Sequence, residues 1–257
     1  MLLCDDDDSP LLPGDACAEL ANHRLTCQWC RRPSSVCLCA SFPPEPLRTR
    51  GLVVVLQHPH EEKRLLASVP LLSACLSADA LAILRCRTVR PGRSLLLDAV
   101  LDAAASGLPV FLLWPGAGAE LPTRAAAASC TLRYGLSELT CDYVLLVPDG
   151  TWPQCSLLVR SLLAVTPLTT LRLPPVVHAG GDTRLRMEPV EGCCVTAEAV
   201  ARVLAVLEDD AALAETLLRP LRAMVALQQT CGGSGKAVRV TARSAKLRLA
   251  PEGHCEV

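Results

Sequence analysis

Short runs of β-branched and leucine residues alternate with longer stretches of helical character along most of this chain. The segment from Leu52 to Gln57 is apolar except for its last residue, which predicts a strand buried on both faces. Three further strands are predicted from Pro109 to Trp114, from Tyr143 to Val147 and from Thr170 to Leu173. Parallel neighbours in a sheet need a long crossover, usually a helix, so this alternation indicates an α/β protein with a parallel sheet.

Helical patterns fill the intervals between these strands and continue after the last one. Ser94 is a candidate N-cap for a helix that runs to Ala105, and Pro70 is expected to bend or break the first helix. The predicted helices are Glu61 to Leu76, Ser94 to Ala105, Trp152 to Ala164, Ala197 to Leu207, and Ala211 to Gln228 despite Pro220.

The two ends of the chain differ from this pattern in composition. Residues 1–24 are read as a disordered acidic tail, because residues 1–19 carry six acids and no base. Residues 231–257 are read as a flexible basic tail that is either solvated or in contact with RNA. The formal net charge of the whole chain is −1, so the remainder is mildly basic, which is compatible with a polyanionic partner.

Export and membrane insertion are not expected. Charged residues, Gly and Pro interrupt the apolar stretches before they reach about 20 residues, and the amino terminus lacks the pattern of a secretion signal. We therefore expect residence in the cytoplasm, the nucleus or both, with reduced thiols among the fifteen cysteines.

Four of these cysteines lie within 13 residues, in the spacing Cys-x2-Cys-x6-Cys-x-Cys. Four thiolates match a tetrahedral structural zinc site, and metal binding would stabilise a segment too small for its own core. We predict a zinc module over residues 25–45 with Cys27, Cys30, Cys37 and Cys39 as ligands. The alternative is four reduced thiols in a loop.

Asp149 follows a predicted buried strand and precedes Gly150, which could let the backbone turn. In open α/β sheets ligands bind beyond the carboxyl ends of the strands. A carboxylate at this position could act as a base, attract a cation, or only accept hydrogen bonds from its loop.

The two residues after Gly150 begin the next predicted helix. Thr151 and Gln154 fit a capping box, which is a structural explanation for both. Trp152 could cover the edge of the sheet or offer a stacking surface to a nucleobase.

Taken in order over residues 27 to 228, these motifs resemble the DTW-domain family of tRNA-uridine aminocarboxypropyltransferases. The segments that carry the resemblance are Cys27-Gln-Trp-Cys30 with Val36-Cys37-Leu38-Cys39, Gln57-His58-Pro59 with Glu61-Glu62, Val69-Pro70-Leu71-Leu72, Pro115-Gly116, Asp149-Gly150-Thr151-Trp152 with Gln154, Arg186-Met187 with Pro189, and Thr196 with Glu198-Ala199.

The resemblance implies a SPOUT-like knotted parallel sheet with helices on both faces, preceded by the zinc module, in a catalytic domain spanning residues 46–230. It also implies transfer of the 3-amino-3-carboxypropyl group of S-adenosylmethionine to N3 of a uridine in tRNA, with the D-loop as the expected position. A SPOUT-type RNA methyltransferase and a non-catalytic RNA-binding adaptor are the alternatives. No obligate protein partner is inferred.

The family pattern assigns roles to individual residues. Asp149 would be the catalytic base, and Gln57, His58, Arg184 and Arg186 would contact the substrate. The residues implied for the S-adenosylmethionine pocket are Pro115, Gly116, Gly150, Thr151, Trp152, Leu173, Pro174 and Thr196.

Overall fold

The computed structural model describes residues 26–62, 64, 67–116, 118–173 and 194–231. The predicted acidic tail, nearly all of the predicted basic tail, and Pro174, Arg184 and Arg186 lie outside these residues. The chain divides into two compact units, the first ending at Ala40 and the second beginning at Ser41.

The second unit is built on a five-stranded sheet in which every neighbouring pair is parallel, in the order β2-β1-β6-β3-β7. The strands are β1 (Leu52–Gln57), β2 (Leu81–Arg85), β3 (Val110–Leu113), β6 (Val144–Asp149) and β7 (Thr169–Leu171). A separate antiparallel hairpin consists of β4 (Cys130–Tyr134) and β5 (Ser137–Cys141). The predicted α/β class is confirmed, whereas β2 and the hairpin were not predicted.

Helices cover both faces of the sheet. They are α1 (Val69–Cys75), α2 (Leu95–Ala105), α3 (Trp152–Leu163), α4 (Thr196–Glu208) and α5 (Ala211–Cys231). Successive strand residues point to opposite faces, and Val54 and Leu146 pack on one face with α2 and α3. Val53 and Leu145 are equally buried on the other face, where α4 contacts β6, α1 and α5.

One helix prediction was wrong in its extent. The described residues of this stretch, Glu61, Glu62, Arg64 and Ala67, lie outside any helix. The backbone N–H of Glu61 donates to the His58 carbonyl and that of Arg64 to the Glu61 carbonyl, which form turns instead. The helix begins at Val69 with Pro70 in its first turn, where a proline needs no N–H partner. Pro70 therefore marks the start of α1 and does not bend a longer helix.

Strand β6 runs to Asp149, two residues beyond the predicted end at Val147. This brings Pro148 into a central strand, although proline cannot donate to a ladder. The pairing of β6 with β3 stops at Leu146, so Pro148 has only β1 as a paired neighbour. The strand thus places Asp149 at its carboxyl end, beside the end of β1.

Candidate active site

The carboxyl ends of β1 and β6 meet in register, with Gln57 opposite Asp149. Both residues are buried, with 5% and 8% of their surfaces exposed. Gln57 Nε2 donates a hydrogen bond of 2.9 Å to Asp149 Oδ2. The backbone N–H of His58 donates to the Asp149 carbonyl at 2.8 Å. Residues predicted separately at two strand ends therefore form one hydrogen-bonded group.

The second carboxylate oxygen of Asp149 is held from a remote helix. Thr196, the first residue of α4, donates its hydroxyl to Asp149 Oδ1 at 2.6 Å. The N-cap of α4 is Val195, which makes no side-chain cap bond, so the Thr196 hydroxyl serves Asp149 and not its own helix end. The sequence left open whether Asp149 only accepts hydrogen bonds from its own loop. It does not, because both side-chain donors come from other elements, Gln57 on β1 and Thr196 on α4.

This arrangement fixes the plane of the carboxylate with two neutral donors. An ionised carboxylate has about four acceptor positions, so each oxygen keeps one for a further partner. Hydrogen bonds to a charged group contribute roughly 1.5–3 kcal/mol each. Asp149 is therefore oriented by the protein and retains acceptor capacity for a ligand.

The start of α4 is itself anchored by α1. Ser68, the N-cap of α1, accepts a 3.3 Å hydrogen bond from the backbone N–H of Ala197. Glu198, with 1% of its surface exposed, pairs with Arg202 one turn further along α4. Sequence reasoning missed Ser68, because it fell in the interior of the helix predicted from Glu61 to Leu76. The bond matters because it positions the Thr196 hydroxyl.

Gly150 and the capping box turn the chain sharply after Asp149. Gln154 Oε1 accepts a 2.8 Å hydrogen bond from the Thr151 N–H, so the predicted capping box is confirmed. Gly150 does not have a positive φ, so the turn does not need a glycine for its backbone conformation. A Cβ at Gly150 would lie 3.2 Å from Gln154 Oε1 and 3.3 Å from Cys155 Sγ, so glycine is favoured there by close packing.

Two tryptophans lie beside this turn. Trp114 directly follows β3, Trp152 begins α3, and their ring centroids are 5.2 Å apart at an interplanar angle of 51°. Trp152 keeps 40% of its surface exposed while packing against Trp114. Covering the sheet edge and offering a stacking surface are thus both compatible with its position. Trp114 was not predicted as a site residue, although a tryptophan at a strand end next to Pro115 was a usable signal.

The other predicted pocket residues follow the ends of β3 and β7. Pro115 and Gly116 are exposed just after β3. Leu173 is half-buried two residues after β7, which is the strand paired with β3. These residues share the carboxyl edge of the sheet with Asp149.

His58 is a buried histidine whose electrostatic setting favours the neutral ring. Burial lowers the pKa of His58, and the charges of His60 and Arg87 add to that effect. Its Nδ1 accepts a 3.3 Å hydrogen bond from the His60 backbone N–H, which leaves the proton on Nε2. Nearby Cys155 has its pKa raised to about 12, by burial first and by the charges of Asp149 and Glu61 next.

A cavity of about 350 Å³ lies at the opposite, amino edge of the sheet. Its lining mixes both charge signs and includes Arg48, Asp79 and Glu138. It is separated from Asp149 by the length of the strands, and nothing in its lining points to chemistry.

The four cysteines of the first unit converge. Their sulfur atoms all lie within 4.8 Å of one another, with Cys27 and Cys39 3.5 Å apart and Cys30 and Cys37 3.7 Å apart. Zn–S bonds of about 2.3 Å in a tetrahedron require sulfur separations of roughly 3.8 Å, which these distances approach. The backbone N–H groups of Cys30 and Trp29, together with the Cys39 thiol, lower the pKa of Cys27 to about 6. The donor set fits a zinc ion.

No helix among the described residues is both long and apolar enough to cross a membrane.

Comparison with known proteins gives a consistent family. The sequence profile of the DTW domain matches residues 24–229. The tRNA-uridine aminocarboxypropyltransferase 2 of Mus musculus is 34% identical over 216 residues, which cover 82% of this chain and 65% of that protein. The protein of the same name from Drosophila melanogaster is 32% identical, over 82% of this chain and 78% of its own length.

A plant relative extends the range of similarity. The tRNA-uridine aminocarboxypropyltransferase A of Arabidopsis thaliana is 29% identical over 89% of both chains. No solved structure matches the chain. The DTW match includes the cysteine cluster, the strand ends around Asp149 and the start of α4. The chain therefore belongs to the DTW-domain family.

Proposed function

We propose that this protein transfers the 3-amino-3-carboxypropyl group of S-adenosylmethionine to N3 of a uridine in tRNA. The proposal is supported by the names of four relatives from animals and a plant, all tRNA-uridine aminocarboxypropyltransferases. The observation that carries it in this chain is the buried Asp149 carboxylate, held by Gln57 and Thr196 at the carboxyl edge of a parallel sheet.

S-adenosylmethionine, when bound, supplies a carbon activated by its positively charged sulfur. In the proposed reaction the bond from uridine N3 to this carbon forms as the carbon–sulfur bond breaks, and the sulfur keeps the electron pair in a neutral thioether. The leaving group needs no proton. The N3 proton is the only one that must be removed, and a single oriented carboxylate is sufficient for that transfer.

Asp149 would accept the N3 proton and pass it to solvent. The hydrogen bonds from Gln57 and Thr196 hold it in one orientation. The carboxylate therefore loses little rotational entropy when the reactants are aligned. The same negative charge would favour the sulfonium centre. Trp152, 40% exposed against Trp114, would stack on the adenine or on the uracil, a contact that contributes roughly 1–3 kcal/mol per base.

The finer assignments belong to the same proposal. Pro115, Gly116, Gly150, Thr151, Leu173 and Pro174 would line the S-adenosylmethionine pocket. Arg184 and Arg186 would contact the substrate. The zinc module would stabilise the first unit through its four thiolates. We place the modified uridine in the D-loop and the protein in the cytoplasm, the nucleus or both.

A knotted, SPOUT-like class is also part of the proposal. Its support is the position of Thr196, which follows the edge strand β7 in the chain yet donates a hydrogen bond to Asp149 on β6, on the other side of β3. An experimental structure that traces residues 171 to 196 would decide it: passage of this segment through a loop of the sheet is expected, and an unthreaded path would refute the knot.

The reaction can be tested by product identity. Purified protein is incubated with unmodified tRNA and S-adenosylmethionine, and the nucleosides are identified by mass spectrometry. We expect a uridine carrying the aminocarboxypropyl group on N3, and none of it without S-adenosylmethionine. A methylated nucleoside would instead support the methyltransferase alternative, and tRNA binding without any modified product would support the adaptor.

A further inference from the structure

Four arginines lie within nine residues at the carboxyl end of β2, and no acid interrupts them: Arg85, Arg87, Arg90 and Arg93. All four are exposed. We refer to residues 85–93 as the arginine segment. It begins at the last residue of β2, the edge strand of the sheet, and continues into the loop before α2, outside the residues assigned above to the reaction.

Strand register places this segment beside the candidate active site. Arg85 is paired with Gln57 on β1, and Gln57 is paired with Asp149 on β6. Parallel strands lie about 4.8 Å apart, so the Arg85 backbone is about 10 Å from that of Asp149. The chain continues from there, and the positive charge of Arg87 contributes to the lowered pKa of His58. The arginine segment and Asp149 therefore share one edge of the molecule.

Three of the four guanidinium groups have no acidic partner within the described part of the chain. Arg85 is paired with Glu62 at 2.8 Å, whereas no ion pair involves Arg87, Arg90 or Arg93. Asp98, the first acid after the segment in the sequence, accepts the backbone N–H of Gly92 at 3.0 and 3.1 Å. Three neighbouring positive charges are thus left for an external anion.

The segment borders a groove of about 240 Å³ whose polar lining comes from Arg85, Thr88, Arg90, Arg93 and Ser94, with Arg87 outside that lining. Ser94 is the N-cap of α2, which has 11 residues, so the positive end of its helix dipole adds to the potential in the groove. The shape and sign suit a chain of phosphates, which arginine binds with paired N–H donors.

We infer that the arginine segment, through Arg87, Arg90 and Arg93, is a docking surface for the phosphate backbone of the RNA whose uridine reaches Asp149. This inference rests on the proposed function, because it takes the tRNA to be the polyanion. Backbone contacts of this kind fix the position and register of a nucleic acid without reading its sequence. The groove would orient the RNA while Asp149 and its neighbours receive the base.

The test compares two triple variants of equal net charge. The first is Arg87→Ala with Arg90→Ala and Arg93→Ala; the control is Arg48→Ala with Arg124→Ala and Arg222→Ala, which removes three exposed arginines elsewhere. Binding of unmodified tRNA is measured by fluorescence anisotropy over a range of salt concentrations. Because each phosphate contact contributes about 0.7–0.9 to the slope of log K against log salt, the first variant should lose roughly 2–3 from that slope and bind tenfold or more weaker at low salt.

The control variant should keep a slope within about one unit of the native slope. A third variant with lysine at positions 87, 90 and 93 should retain most of the slope, because it keeps the charges. Equal slopes for the first variant and the control, or no measurable tRNA binding by the native protein, would overturn the inference. Circular dichroism and melting temperature verify that each variant is folded.

The binding readout separates this inference from the proposed function. Loss of slope in the first variant alone supports the docking surface even if no group is transferred. Conversely, group transfer with an unchanged KM for tRNA in the first variant would support the proposed function and refute the docking surface.

Discussion

Asp149 is a residue whose surroundings are explained only by the folded chain. Its neighbours in sequence form a capping box that needs no carboxylate. Its hydrogen-bond partners, Gln57 and Thr196, are 92 and 47 residues away along the chain. One buried donor and one half-buried donor, both from distant parts of the chain, are directed at a single carboxylate, and the proposed chemistry is centred there for that reason.

Replacing Thr196 tests whether Asp149 must be oriented. Thr196→Val removes the donor to Oδ1 but keeps the side-chain shape, and we expect kcat to fall by about 10- to 100-fold, corresponding to one hydrogen bond to a charged group. KM for tRNA should change little. Thr196→Ser, which restores the hydroxyl, should recover most of the rate. An unchanged kcat in the valine variant would show that Asp149 does not depend on this contact.

Burial of His58 should make the stability of the folded protein depend on pH. Its pKa is lowered in the folded protein, chiefly by burial and then by His60 and Arg87, so the unfolded chain takes up a proton first as the pH falls. The titration of His58 therefore leaves the free energy of unfolding unchanged above about pH 6.5. Below that pH it lowers the free energy of unfolding, until the pH reaches the lowered pKa of the folded state. We expect His58→Gln to lose less melting temperature between pH 7.5 and pH 5 than the native protein does. An equal loss in both would contradict the assignment.

At the scale of elements, alternation of apolar runs and helical patterns predicted β1, β3, β6, β7 and four of the five helices within a few residues. Strand β2 was missed because it is a half-exposed edge strand whose pattern has no clear alternation. The hairpin was missed because only Leu132 and Cys141 among its strand residues are buried. Such elements are fixed by what they pack against, since β4 contacts α2.

The candidate site likewise has a part that the sequence predicts and a part that it does not. Asp149, Gln57 and the capping box could be predicted, because strand ends and helix starts have local signals. The contacts that join Asp149 to Thr196 and α1 to α4 through Ser68 could not, because they arise when distant elements pack.

The capping box is expected to stabilise the start of α3. Gln154→Ala removes the acceptor of the Thr151 N–H, and we expect the free energy of unfolding in urea to fall by about 0.5–2 kcal/mol. Gln154→Glu keeps an acceptor at the helix start and should be close to the native value. If the alanine variant were as stable as the native protein, the bond would have no net effect.

At the scale of the whole molecule, the chain has two units with different sources of stability. The sheet unit has an apolar core on both faces, whereas the described part of the first unit brings four sulfur atoms together. Metal binding can supply folding free energy to such a small segment.

Measuring the zinc content of the protein tests whether the four cysteines bind a metal. We expect about one equivalent of zinc in the native protein, and its loss in Cys37→Ser. Cys130→Ser, on the hairpin of the other unit, should retain the metal. Because the thiolates must be deprotonated to bind, affinity should weaken as the pH falls. A folded native protein free of zinc would contradict the module.

In the proposed mechanism one protein molecule joins the two reactants at Asp149, and a labelling experiment distinguishes this reaction from its alternatives. Native protein and Asp149→Asn are each incubated with tRNA and with S-adenosylmethionine labelled either in its methyl group or in its aminocarboxypropyl portion. Asparagine keeps the side-chain shape, and the Gln57 amide can turn to face it. We predict that only the aminocarboxypropyl label enters tRNA, and that Asp149→Asn lowers its rate at least 100-fold while tRNA affinity is retained. Transfer of the methyl label, or an undiminished rate in Asp149→Asn, would contradict this mechanism.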